Sequence, residues 1–210
     1  LAVDVSGSTD FGSRDQARAD LEVETAALLA LSAIRNNDRV GLLLFSDQTE
    51  LLVPPRKGRR HGLRIIRDVL ACERKSPRTS IANALEHLLQ LTTRRAVVFL
   101  ISDFFDDGYQ SALRTAARKH DLTAMRVLDP AETSCVAKGW FHLEDAESGA
   151  AVPFLGTPSS RREFGVHTNA RLLEQDRWFR REGIDCVDLR TGEDTVAPLV
   201  RFFHRRAHRR

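Results

Sequence analysis

The feature that most constrains this chain is an alternation of short, unbroken apolar runs with helical patterns. Val40 to Phe45 and Ala96 to Ile101 are apolar on both parities, Leu1 to Val5 and Leu122 to Leu128 are nearly so, and Ile184 to Leu189 reads as a last strand. A strand with one face in water alternates apolar with polar residues, whereas a strand covered on both faces does not. Between the first four runs lie apolar residues at helical spacing. Asp15 to Arg35 carries Leu21, Leu28, Leu29 and Ile34. Leu63, Ile66 and Leu70 mark a shorter helix, and Ser80 caps a third that carries Ile81, Ala84, Leu85 and Leu88. A fourth is expected from about Gln110 to Lys119. This order implies an α/β fold: a doubly wound, mostly parallel sheet with helices on both faces. Glu50 to Val53 reads as a short extra strand that Pro54-Pro55 stops.

After Leu128 the rhythm breaks. Trp140 to Leu143 and Ala151 to Phe154 flank Glu147-Ser148-Gly149, which predicts a late β-hairpin. Thr157 to Ser160 reads as a loop. A polar helix from about Asn169 to Glu182 ends at Gly183. A closing helix follows the last strand, with Val196, Leu199, Val200 and Phe203 as its inner face. No linker rich in Gly, Ser or Pro divides the chain. We therefore expect one domain over 1–210: a core in 1–128, a flap in 129–160, and a closing helix–strand–helix passage in 161–210.

Composition narrows the function classes. With 42% hydrophobic and 29% charged residues, the 210-residue chain has a globular balance. No apolar run approaches the roughly 20 residues that cross a bilayer, and the first residues read as a strand rather than a leader. Cys72, Cys135 and Cys186 are far apart and show no C-x-x-C spacing, against a disulfide framework or structural zinc. The expected location is the cytoplasm, any membrane anchor lying upstream. The net charge of +3 does not by itself point to nucleic acid. Its basic residues cluster twice, at Arg56, Lys57, Arg59, Arg60, His61 and at Arg205, Arg206, His208, Arg209, Arg210. These read as a solvated loop and terminus, or as a docking surface for an acidic partner.

Ligands of such sheets bind beyond the carboxyl ends of the strands, where strand order reverses. The residues after the strands are therefore the informative ones. Asp4-Val5-Ser6-Gly7-Ser8 follows the first strand, Ser102-Asp103 follows a later one, and Thr79 sits before a helix between them. In extended backbone Asp4 and Ser6 point the same way. Gly7 lets the chain turn so that Ser8 can rejoin them. The set offers two carboxylates and three hydroxyls, hard oxygen donors suited to Mg²⁺ or Mn²⁺. Two carboxylates balance the ion's charge, and an open coordination position can accept a carboxylate from a partner protein.

Asp4-x-Ser6-x-Ser8, Thr79 and Asp103 resemble the metal-ion-dependent adhesion site of von Willebrand factor A domains. The resemblance implies Ser6, Ser8 and Thr79 as hydroxyl ligands, and Asp4 and Asp103 as direct or water-mediated carboxylate ligands. Pro77-Arg78 stand where that family usually has glycines. Phe11-Gly12-Ser13, Asp38-Arg39-Val40-Gly41-Leu42, Pro54-Pro55-Arg56-Lys57-Gly58, Ile101-Ser102-Asp103-Phe104 and Arg201-Phe202-Phe203 further resemble the bacterial family called domain of unknown function 58. That likeness implies a partner, a MoxR-type AAA+ ATPase, which no residue spacing here shows.

Two other classes compete. A haloacid-dehalogenase-like phosphohydrolase also places an Asp after its first strand, but needs a second acid two residues on, where this chain has Ser6. A basic nucleic-acid-binding module needs aromatics among its cations, and Arg56 to His61 has none. No phosphate-binding glycine loop or nucleophile elbow is present. The expectation is a non-enzymatic, metal-dependent protein-interaction module, with Phe11, Phe104 and Phe105 bordering its surface or packing beneath the loops.

Overall fold

Both-face burial of the apolar runs is realised in a six-stranded sheet. The computed structural model describes residues 1–6, 15–73, 76–130, 140–144, 151–155 and 157–208. The strands are β1 (Ala2–Asp4), β2 (Val40–Phe45), β3 (Thr49–Arg56), β4 (Val97–Ser102), β5 (Asp121–Leu128) and β8 (Asp185–Arg190), in the order β3-β2-β1-β4-β5-β8. All neighbours run parallel except β3, which is antiparallel to β2 at one edge. The chain winds outward from β1 to β3, then returns to place β4 on the other side of β1. The reversal of strand order therefore lies between β1 and β4. The hairpin β6 (Trp140–Glu144) and β7 (Ala151–Leu155) forms a separate antiparallel pair.

Alternation along each strand feeds two cores. Val3, Leu42, Leu44, Ile101, Met125 and Val127 face α1 (Asp15–Arg35), α2 (Arg59–Leu70) and α6 (Val196–Ala207). Their sequence neighbours Ala2, Leu43, Phe45, Leu100 and Ala124 face α3 (Ile81–Leu91), α4 (Gln110–Lys119) and α5 (Pro158–Glu182). Ser80 caps α3 as its sequence predicts, its hydroxyl accepting from the Asn83 amide at 3.3 Å.

Three expectations shift, each for a physical reason. Strand β3 runs through Pro54 and Pro55 to Arg56 instead of stopping at Val53. It is an edge strand, with an irregular register opposite Val40 and Leu42, so prolines cost it little pairing. The opposing residue is Gly41, where a Cβ would sit 2.9 Å from Pro55 Cγ. Helix α5 begins at Pro158 rather than near Asn169. Proline at a first helical position needs no amide partner, a start signal that a search for apolar spacing passes over. In α6 the buried residues are Leu199 and Phe202, while Val196, Val200 and Phe203 are 47%, 45% and 39% exposed. The apolar stripe of α6 is thus wider than its contact with the sheet, and the sheet takes the other side of it.

Helices α1 and α2 approach closely at Gly62, where an added Cβ would lie 2.3 Å from Ile34 Cγ1. Gly62→Ala should lower stability in urea denaturation by about 1–3 kcal/mol through overpacking. Adding Ile34→Ala should recover part of the loss, because it removes the atoms that clash.

Candidate metal centre

The strand ends deliver their side chains to the switch point. Asp4 closes β1, and one of its carboxylate oxygens accepts the Ser6 amide at 3.0 Å. The other accepts the Ser102 hydroxyl, from the end of β4, at 2.8 Å. The Thr79 hydroxyl donates to the Ser6 hydroxyl at 2.6 Å, joining the segment before α3 to the end of β1. That segment is fixed from β2 as well, since the Ser80 amide donates to the Ser46 carbonyl at 2.9 Å. Asp4, Ser6 and Thr79 therefore lie in one hydrogen-bonded chain. Asp4 and Ser6 are buried, while Thr79 is half-buried, so the cluster opens on the Thr79 side. Gly7, Ser8 and Phe11 lie outside the described residues.

Asp103 completes the cluster by proximity. It is 5% exposed. One oxygen accepts the Phe105 amide at 2.9 Å, and the other pairs with the Arg18 guanidinium from α1 at 2.8 Å. Burial, together with the negative charge of Asp103, pushes the Asp4 carboxyl up to about 7, against the hydrogen bonds from Ser6 and Ser102. Among the described residues the cluster holds two buried carboxylates and one guanidinium, and its donor atoms are oxygen. Such a set fits a hard divalent cation, whose charge removes the repulsion between the two acids.

The loop after β4 is held under backbone strain. Phe104 has φ 59°, in the left-handed region that L side chains rarely adopt. Its amide donates to the Ser102 hydroxyl at 3.1 Å, and its carbonyl accepts the Gln175 side-chain amide, from α5, at 2.7 Å. Its ring is fully buried against Tyr109 and Phe179, at centroid distances of 5.8 and 5.5 Å. Phe104 thus packs beneath the loop. Phe105 is half-buried with Arg171 5.0 Å above its ring, and Arg171 also donates to the Phe105 carbonyl at 2.6 Å. The Asp106 carboxylate accepts the first amide of α3, at Ile81, at 2.7 Å, as suits a helix N-terminus.

Sequence reasoning passed over four contributors: Arg18, Ser102 as a partner of Asp4, and the two α5 residues Arg171 and Gln175. Ser102 was legible, because it precedes Asp103 at a strand end and shares the parity that faces Asp4. Nothing in the spacing marks the other three, which meet the site through tertiary packing.

Strand order and switch point are those of a von Willebrand factor A-like fold. The chain belongs to the family described as protein of unknown function DUF58, which matches residues 1–172. An uncharacterized protein of Mycobacterium tuberculosis is 32% identical over 205 residues, or 96% of this chain. This chain spans 65% of that relative's length. A Mycobacterium avium protein is 31% identical over 153 residues, covering 71% of this chain and 90% of its own length. Among solved structures, BatB from Bacteroides thetaiotaomicron aligns over 95% of this chain and 92% of its own, with a TM-score of 0.54 and 15% identity. An aerotolerance-related membrane protein from Bacteroides fragilis aligns over 95% and 93%, with a TM-score of 0.50 and 16% identity. At these identities the likeness is one of fold.

The raised pKa of Asp4 sets a pH dependence for metal-free protein. The carboxyl binds its proton more tightly folded, at about 7, than in an unfolded chain, near 3.8. Its protonation therefore favours the fold between those values, and the benefit is lost as pH rises through 7. In chelator, wild type should gain melting temperature from about pH 8 to about pH 5 relative to Asp4→Asn. Mg²⁺ at the higher pH should restore much of the difference in wild type alone.

Proposed function

We propose that this domain is a non-enzymatic protein-interaction module that works through a bound Mg²⁺ or Mn²⁺. Asp4, Ser6, Thr79 and Asp103 would hold the ion, with Ser8 as a further hydroxyl ligand. The bound cation supplies an electrophilic position that a carboxylate of the partner protein can fill. The observation that carries this reading is the hydrogen-bonded chain Asp4–Ser6–Thr79 beside Asp103, four oxygen-bearing side chains from three segments meeting at the switch point. A phosphohydrolase of the haloacid dehalogenase type would need an acid where Ser6 stands. The Ser6 hydroxyl instead accepts from Thr79, and an alcohol is far too weak an acid to replace a carboxylic acid in proton transfer near neutral pH.

The partner we favour is a MoxR-type AAA+ ATPase, on the family resemblance, in an assembly or activation role. The cytoplasm is the favoured compartment, since the sequence spacing of Cys72, Cys135 and Cys186 forms no disulfide framework. The Mycobacterium tuberculosis relative is longer than this chain, which spans 65% of it, so further parts of such proteins would share in the role.

Calorimetric titration of Mg²⁺ and Mn²⁺ into chelator-treated protein tests the reading. Saturable binding near one ion per chain is expected, abolished in Asp103→Ala and weakened about tenfold in Thr79→Ala. Arg18→Gln should tighten binding several-fold, because it removes a cation that competes for Asp103. No saturable binding at millimolar metal, with or without acetate as a surrogate carboxylate, would rule the site out.

A further inference from the structure

The two basic clusters of the sequence are far apart in the chain but share one pole of the molecule. Because β3 is antiparallel, its last residue Arg56 pairs with Val40, the first residue of β2. The turn carrying Arg56, Lys57 and Arg59 therefore opens at the edge where the parallel strands begin. Helix α3 starts beside the metal cluster and runs back to this edge, where Arg94 and Arg95 precede β4. Helix α6 also runs back and is pinned there, its Arg206 bonded to Asp121, the first residue of β5. Its last turn brings Arg205 to the same edge. All six of the cations at positions 56, 57, 59, 94, 95 and 205 are exposed. From β3 to β5 this row spans four strand spacings, about 19 Å. The carboxylates of Asp4, Asp103, Asp106 and Asp107 lie at the other end of the sheet. Asp38 and Asp121 also sit at the basic edge, and Arg18, Arg78 and Arg171 at the other, so the separation of charge is partial.

Exposed apolar groups share this basic edge. Val97, Leu91 and Phe203 are 53%, 47% and 39% exposed. Val97 and Phe203, with Phe99, wall a shallow cleft of about 250 Å³ whose rim carries Arg206 and the Asp121 it is paired with. The exposed cations beside these apolar walls complement a phospholipid, which presents a phosphate beside hydrocarbon. Aliphatic groups such as Val97 and Leu91 gain nothing from a sugar-phosphate backbone, but they gain from the boundary between headgroups and acyl chains. No described helix is long and apolar enough to cross a membrane, so the fit is to a bilayer surface.

We propose that the N-terminal edge of the sheet, opposite the metal cluster, is a docking surface for an anionic lipid bilayer. Basic residues attract the headgroups, while Phe203, Val97 and Leu91 enter the interface. Binding falls with salt, because exposed cations are screened within about 10 Å at 0.1 M. A Lys or Arg near an anionic leaflet contributes about 1 kcal/mol, or about fivefold in partitioning.

The test is sedimentation of the chain with phosphatidylcholine vesicles, with and without phosphatidylserine. Binding should require phosphatidylserine and be lost at high salt. The double variant Arg94→Ser/Arg95→Ser should weaken it roughly 25-fold, and Phe203→Ser should weaken it without changing charge. Arg67→Ser removes an exposed cation from the last turn of α2, which runs away from this edge, and should leave binding nearly unchanged. Melting curves establish that each variant is folded. Three results would overturn the proposal: no binding to phosphatidylserine vesicles; equal binding to phosphatidylcholine alone; or Arg67→Ser as damaging, per charge, as the Arg94/Arg95 pair. Retention on duplex DNA that is lost in the Arg94/Arg95 variant, without vesicle binding, would reassign the edge to nucleic acid.

Discussion

Two carboxylates buried side by side are the constraint around which this domain is arranged. Asp4 ends β1 and Asp103 follows the last residue of β4, the neighbouring parallel strand, and removal from water makes their shared negative charge expensive. The protein answers with hydrogen bonds from Ser6 and Ser102 to Asp4, and with Arg18 against Asp103. These do not suffice, since the Asp4 carboxyl remains shifted up to about 7. A structure that only needed stability would place apolar or amide groups here. Retaining both acids makes sense where a cation completes the balance.

The strain at Phe104 follows from the same demand. To aim Asp103 inward and then turn the chain aside, the backbone enters the left-handed region at a bulky residue. Surrounding contacts must over-determine that geometry. They come from α5, through a second buried charge. Arg126 on β5 is 2% exposed and bonds Asp188 on β8, with Asp176 and Gln175 on α5. Gln175 passes the constraint on, accepting from Arg126 and donating to the Phe104 carbonyl. The helix that follows the hairpin therefore holds the metal-site loop in place, although it supplies no ligand.

What could be read in advance divides along physical lines. Both-face burial leaves an unmistakable apolar run, so β2, β4 and β5 were legible to within a residue, and α1 and α4 at their full bounds. Asp4, Ser6, Thr79 and Asp103 were legible because ligand position in a doubly wound sheet follows from strand ends. Arg18, Arg171 and Gln175 were not, since each acts across a tertiary interface that leaves no periodic trace. The inner face of α6 was misread for a related reason. Val196, Leu199, Val200 and Phe203 form a consistent apolar stripe, but the sheet selects Leu199 and Phe202. Periodicity identifies an apolar face and does not say how much of it the fold will cover.

That excess apolar surface bears on how the two poles relate. A helix that joins two parallel strands runs from their carboxyl ends back to their beginnings, whereas α2, which follows the antiparallel β3, runs the other way and starts at Arg59 and Arg60. Acids are favoured at helix starts and bases at helix ends. Asp106 at the start of α3, and Arg205 and Arg206 in the last turn of α6, obey that rule. The fold thus predisposes any chain of this topology to carry acids at the site pole and bases opposite. Predisposition does not account for the exposed Phe203 and Val97, which no helix dipole rewards and which water penalises. Topology accounts for Arg205 and Arg206 at that edge but not for Arg56, Lys57 and Arg59, which precede or open a helix. Basic residues interleaved with exposed aromatic and aliphatic side chains are what the proposed bilayer contact would use, on the side that would leave Asp4 and Asp103 open to a partner.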